Sequence, residues 1–173
     1  MVTIFKINFG IGLKSATPTK PNNYKKIDEF VSRSAQPKKN ELKWLKDEGV
    51  TDVINLRTMY KPEIDFDETK VLKKLKINYH QIPVATKDIK DAAVQKFLEI
   101  IKEVRNSNGK RKAHIHCKAG ADRTGFFSLI YKTLYNIDTF ENNAQEMVKM
   151  RHNQGLYPNL IGKAKELLKK IKI

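Results

Sequence analysis

The chain has little of several things. Among its 173 residues are one cysteine, one tryptophan, six prolines and eight glycines, and acidic residues are outnumbered 19 to 34 by Lys and Arg. A single cysteine excludes an internal disulfide and agrees with a reducing compartment. It also leaves no resolving thiol, so oxidised Cys117 would need protection as a sulfenamide or by an external thiol. No run approaches the ~20 consecutive apolar residues that span a bilayer, so no stable membrane insertion is expected. The N-terminal stretch Met1 to Leu13 is apolar but broken by Lys6 and Asn8 and lacks a basic start. It reads as a terminal strand or arm rather than a secretion signal. The expected location is therefore cytoplasmic, with secretion not excluded.

The shortage of acid leaves a net charge of +15. Two readings follow: a basic rim that steers a polyanion, or lysines on solvated helix faces, among them Lys43, Lys46, Lys73, Lys74, Lys165, Lys169 and Lys170. No aromatic stacking platform interleaves with the basic residues, so no nucleic-acid partner is expected. His80, His114, His116 and His152 lack ligand-like spacing, and neither a metal nor a cofactor is expected.

The length suits one domain with a real core. Residues 1–23 are expected to form an N-terminal arm and connector, the part 14–23 being rich in Pro, Thr and Asn, and residues 24–173 the folded domain. Lys25 to Ser34 has the character of a short hairpin, Lys38 to Glu48 of a helix ended by Gly49, and Val50 to Leu56 of a buried strand. A helix over Ile64–Leu75, a strand over Ile77–Ile82 and a helix capped by Asp91 follow, the last with Val94, Phe97, Leu98, Ile101 and Val104 on one face. Ala113 to His116 reads as a strand, and Thr124–Tyr135, Thr139–Arg151 and Asn159–Lys170 as helices. This alternation predicts an α/β domain, a central mainly parallel sheet flanked by helices, with ligands beyond the carboxyl ends of the strands.

The densest chemistry lies in HCKAGADRTG, His116 to Gly125. It places the cysteine six residues before an arginine in a loop between a strand and a helix N-terminus. A thiol is a nucleophile as its thiolate, and a positively polarised site lowers its pKa from about 8.5 to roughly 3.5–7.5. In such a phosphate-binding loop the N–H groups of Lys118, Ala119, Gly120, Ala121, Asp122 and Arg123 can form an anion nest, helped by the helix dipole. Gly120 relieves crowding where the backbone turns, and Arg123 offers a planar fork for two phosphate oxygens. Thr124 can donate its hydroxyl to the sulfur, His116 can orient the loop, and Asp122 is expected to face outward and hold the loop.

This segment resembles the H-C-x5-R-[ST]-G signature of the cysteine-based protein tyrosine phosphatase superfamily, in its dual-specificity branch. RSAQP (Arg33 to Pro37) and VINLR (Val53 to Arg57) are similar to segments of atypical dual-specificity phosphatases of plants and fungi and their bacterial relatives, extending the resemblance over roughly residues 24–160. It implies a cysteinyl-phosphate mechanism with Cys117 as nucleophile and Arg123 as phosphate clamp. It also implies a general acid about thirty residues before the cysteine, where Asp88 stands, with Asp91 as the alternative; Arg33 and Arg57 are read as braces. The implied substrates are phosphorylated proteins, carrying phosphotyrosine, phosphoserine or phosphothreonine, or phosphoinositides and inositol phosphates. Lys118 after the nucleophile is shared with phosphoinositide 3-phosphatases, whereas Asp122 departs from the residues they carry before the arginine. A non-catalytic phosphate-binding module and an RNA 5′-phosphatase are the alternatives, and oligomeric state is not legible.

Overall fold

The computed structural model describes residues 17–58 and 66–171. The expected arm over Met1 to Leu13 and the start of the expected helix at residue 64 lie outside them.

Five short strands form one sheet: β1 (Lys25–Lys26), β2 (Val31–Ser34), β3 (Asp52–Asn55), β4 (Asn78–Gln81) and β5 (Ala113–His116), in the order β1-β2-β5-β3-β4. β1 pairs antiparallel with β2, and the other three pairings are parallel, as the alternation of strands and helices predicts. The register sets Ser34 and Asn55 on either side of His116. Three strands therefore end side by side, and whatever follows β5 emerges between two carboxyl edges.

Alternation along the strands divides the core. Val53 packs with Leu42 and Leu45 of α1 (Lys39–Asp47) and Leu72 of α2 (Glu68–Lys74) on one face of the sheet. Its neighbour Ile54 joins Ile115 and Cys117 on the other face, under α3 (Asp91–Arg105), α4 (Asp122–Leu134), α5 (Phe140–Lys149) and α6 (Leu160–Lys170). The period of two puts each residue of β5 on the opposite face from the next. His114 and His116 are stacked, with ring centroids 6.4 Å apart, and both are fully buried.

Several helix boundaries differ from expectation, each for a local reason. α2 starts at Glu68 because Asp67 accepts a hydrogen bond from Lys70 N–H at 3.2 Å. Asp91 does not cap α3: Lys90 holds the cap position and Asp91 is the first helical residue. α4 starts two residues early, with Asp122 and Arg123 inside its first turn. α1 ends as predicted, with Gly49 just beyond it at φ +85°.

At the amino end of β3 Asp52 is fully buried, accepting from Arg111 Nε at 3.0 Å and Nη2 at 2.6 Å and facing His80 Nε2 at 2.8 Å. Burial pushes its pKa up, but these partners outweigh burial and hold it well below the usual carboxylate range. Asp52→Asn is expected to cost about 1.5–3 kcal/mol at pH 7. Because the folded-state pKa is the lower one, the aspartate's contribution is complete above its unfolded pKa near 3.9 and is lost as pH falls toward the folded value. Urea denaturation of both proteins at pH 7 and pH 3 should therefore show the gap narrowing in acid.

Candidate active site

Cys117 follows β5 directly, is 3% exposed, and is a free thiol at the base of the loop that leads into α4. Lys118 and Ala119 are exposed on the rim, while Gly120 and Ala121 are buried against the sheet. The first turn of α4 has Ala121 at its cap position and no side-chain cap, so a helix N-terminus opens onto the loop without a side chain stopping it.

Gly120 has φ +65°, and a Cβ built there would lie 2.4 Å from Ala35 N and 2.5 Å from the Ser34 carbonyl carbon. The loop thus presses on the end of β2 with no room for a side chain. Three groups from that side hold it. Gln36 N–H donates to the Lys118 carbonyl at 3.1 Å. Asn23 Nδ2 donates to the Ala119 carbonyl at 3.2 Å and the Gly120 carbonyl at 2.9 Å. Arg33 Nη2 donates to the Gly120 carbonyl as well. Arg33 is 1% exposed, and burial pushes its guanidinium down to about 10, partly offset by the nearby Cys117 and Glu146.

Arg123, at the other end of the loop, reaches over the ends of the neighbouring strands. Its Nη1 donates to the carbonyls of Leu56 and Val84 at 3.3 and 3.5 Å. Both are long bonds, and an anion beside the guanidinium would offer shorter charge-assisted ones. Asp122 turns away from the loop's concave side: its Oδ1 accepts from His152 Nδ1 at 2.7 Å and Asn153 N–H at 2.8 Å. It is therefore a fastener for the segment between α5 and α6 rather than a side-chain contact for substrate. Thr124 is fully buried, and its hydroxyl makes no hydrogen bond, so the expected donation to the sulfur is not formed in this structure.

His116 connects the loop to a buried polar network on the other face. Its Nδ1 lies 3.5 Å from the Cys117 carbonyl and its Nε2 3.1 Å from Glu68 Oε1. Glu68 also accepts from Gln36 Nε2 and Asn55 Nδ2, both at 2.8 Å. Burial pushes the Glu68 carboxyl up, but His116, Gln36 and Asn55 together bring it below its ordinary value. Arg57 Nη1 donates to Gln36 Oε1 at 3.0 Å. RSAQP and NLR are thus two halves of one brace.

His114 is fixed from both sides. Ser34 Oγ donates to the Ala35 carbonyl at 2.5 Å and so accepts from His114 Nε2 at 2.7 Å, which leaves Nδ1 to accept from Ser32 Oγ at 2.8 Å. Burial, with His116 beside it, pushes its pKa well below the usual imidazole range, and the ring is neutral.

Asp88 closes a turn, its N–H donating to the Ala85 carbonyl at 3.0 Å, just past the Val84 carbonyl that Arg123 touches. Its exposed carboxylate pairs with Lys90. The hydrogen bond from Lys90 outweighs desolvation and, with the charges of Lys90 and Lys163, holds it below the usual carboxylate range. Asp91 faces elsewhere, lining a groove of about 410 Å³ between α3 and α6 with Leu98, Leu134 and Leu167. Among the described residues no group of three His, Cys, Asp or Glu is placed to hold a metal ion.

Asn23, Gln36 and Glu68 were not singled out as site residues from the sequence. Gln36 lies within the RSAQP segment; Asn23 and Glu68 carry no local signal beyond a turn-prone Asn-Asn and an acid at a helix start.

A family model described as "DSP-PTPase phosphatase fused to NAD+ Kinase" matches residues 9–159. The chain belongs to this phosphatase family. The matched span holds all five strands of the DSP-PTPase domain, Asp88 and the whole loop. Solved structures share its fold. A protein of Shewanella putrefaciens CN-32 has a TM-score of 0.73 at 22% identity, over 89% of this chain and 94% of that one. The core catalytic domain of the PP-IP phosphatase SIW14 from S. cerevisiae, in complex with citrate, has 0.69 at 20% identity, over 89% and 95%. P. aeruginosa TpbA, in a Cys-to-Ser form in complex with pTyr, has 0.68 at 18% identity, over 86% and 89%. No curated protein matches the chain significantly. Identities this low carry the architecture of the DSP-PTPase domain and nothing finer. Among the described residues no helix is long and apolar enough to cross a membrane.

Proposed function

We propose that this domain hydrolyses phosphate monoesters through a cysteinyl-phosphate intermediate, with Cys117 as nucleophile, Arg123 and the loop amides as phosphate clamp, and Asp88 as general acid. The observation that carries this reading is the placing of Cys117 and Arg123 at the two ends of one loop, seated against β2 without room for a Cβ at Gly120. The Cys117 thiolate attacks phosphorus, the bond to the leaving oxygen breaks, and Asp88 gives that oxygen its proton. Water then attacks phosphorus, the same carboxylate takes the proton, the S–P bond breaks, and the thiolate and inorganic phosphate are released. Loop amides and guanidinium face the charge as it builds on the equatorial oxygens.

A multiply phosphorylated substrate of the inositol phosphate kind fits the rim better than a phosphotyrosine peptide. Lys118 is exposed next to the nucleophile, and Lys90 and Lys163 act on the turn that carries Asp88. The fold is shared with a PP-IP phosphatase and with a protein seen in complex with pTyr, so the test compares both classes. Turnover of p-nitrophenyl phosphate, inhibited by vanadate, is expected of the purified chain, with higher kcat/KM on soluble inositol polyphosphates than on phosphopeptides or phosphoinositides. No phosphate release from any of these at any pH would overturn the enzyme reading in favour of a phosphate-binding module. Release from triphosphate-ended RNA alone would move the activity to that substrate.

Asp88 gives the sharpest kinetic test. An acid held below the usual carboxylate range is mostly ionised at neutral pH, so kcat/KM on aryl phosphates with poor leaving groups should rise as pH falls toward the carboxylate range. Asp88→Ala should remove that pH dependence and slow poor leaving groups by roughly 10²–10⁴-fold, with a much smaller loss on p-nitrophenol. An unchanged dependence on leaving-group pKa would take Asp88 out of the mechanism.

A further inference from the structure

The back of the loop is tied to the rest of the fold by hydrogen bonds. Three successive carbonyls, those of Lys118, Ala119 and Gly120, each have a donor outside the loop: Gln36 N–H, Asn23 Nδ2, and Asn23 Nδ2 together with Arg33. Within a trans peptide the C=O and the following N–H point in opposite directions. Drawing these three carbonyls outward therefore turns the N–H groups of Ala119, Gly120 and Ala121 toward the concave side, where the phosphate is to sit. Two of the three carbonyls accept from one side chain that precedes the first strand, the Gly120 carbonyl sharing it with Arg33. The same Asn23 Nδ2 also lies 3.5 Å from the Met150 carbonyl, which brings the end of α5 to the same point.

We propose that Asn23 is a positioning residue: its carboxamide grips the Ala119 and Gly120 carbonyls and so aims the Gly120 and Ala121 N–H groups at the bound phosphate. This inference rests on the reading of the loop as a phosphate site. Asn23 sits at φ +53°, a left-handed backbone that Asn adopts more readily than most residues and Gly adopts freely. Backbone and side-chain roles can thus be separated. Asn23→Gly keeps the backbone conformation and deletes the amide. Asn23→Asp keeps the shape and sets an anion against two carbonyl oxygens, which can then turn inward.

Vanadate affinity, p-nitrophenyl phosphate kinetics and Tm of the full chain decide the matter. For Asn23→Asp, vanadate affinity and kcat/KM are expected to fall together by about 10- to 100-fold, the range seen when a residue that orients a binding group is removed. Asn23→Gly should lose less, about 3- to 10-fold, because a water can replace the amide. A structural role alone would lower Tm and leave vanadate affinity of the folded fraction unchanged; that outcome, or both quantities within twofold of the parent, overturns the proposal. If Asn23→Asp does not fold, Asn23→Gly decides by the same criterion, a loss of threefold or more supporting the proposal. Should the parent bind vanadate without turning over any ester, the enzymatic reading falls, and a weakened vanadate affinity in the variants still supports the role of Asn23. Should the parent bind no oxyanion at all, both fall.

Discussion

Cys117→Ser is expected to reduce turnover of p-nitrophenyl phosphate by at least ~10⁴-fold, with Tm little changed. The thiol sits 3% exposed at the end of β5, in a place where a hydroxyl fits without crowding. What serine lacks is an ionised form near neutral pH, and among the described residues nothing else around the loop is placed to take over the attack. His116 is occupied by the Cys117 carbonyl and Glu68, and Asp122 by His152 and Asn153. Oxyanion binding should survive, because in the proposed cup the oxygens are held by amides and Arg123 rather than by sulfur, so tungstate should bind the serine variant within about tenfold of the parent. Acid quenching during turnover of a labelled substrate should trap phosphate on the parent protein and none on the variant. Turnover retained by Cys117→Ser, or no trapped phosphoenzyme in the parent, would remove the covalent mechanism.

Gly120→Ala is expected to be the second most damaging change, for a reason that is steric from the outset. The new Cβ would lie 2.4 Å from Ala35 N, 2.5 Å from the Ser34 carbonyl carbon and 2.6 Å from its oxygen, all backbone atoms at the end of β2, where Ser34 is buried. Backbone cannot rotate away as a long side chain can, so either the loop or the end of β2 must move. A φ of +65° adds strain for any L side chain. Crowding of this kind costs roughly 1–3 kcal/mol. The effect on rate should be larger, since a displacement near 1 Å of groups that position a reacting centre costs on the order of 10² in rate. Calorimetry and kinetics on the same preparation test this: a modest fall in Tm with turnover down by ~10²-fold or more is expected, whereas parental turnover would show that the loop tolerates the shift.

These two positions were legible because their chemistry is local. Cysteine, glycine and arginine within seven residues, between a strand and a helix, announce a loop of one kind, and the sheet follows from short apolar runs alternating with amphipathic helices. What sequence reading missed depends on distance along the chain. Asn23 acts on carbonyls 96 and 97 residues away, and Gln36 reaches Glu68 across 32; no periodicity or spacing records such partners. Asp91 has the residue type that caps favour, yet the extended backbone that defines the cap falls on Lys90, one residue earlier. Asp122 shows the converse: a charge next to the proposed anion site is expected to point elsewhere, and its carboxylate bonds His152 and Asn153.

The grip of Asp122 on the segment after α5, together with the grip of β2 and Asn23, means that the proposed cup is held by two parts of the fold that lie far apart along the chain. Its curvature is thus settled when the polypeptide folds, and the entropy of shaping a receptor is already spent before any guest arrives. Affinity in such a receptor responds steeply to slackening at either hold. The chain joining α5 to α6, which supplies no group to the proposed reaction, is therefore a place where a substitution can weaken the proposed phosphate capture.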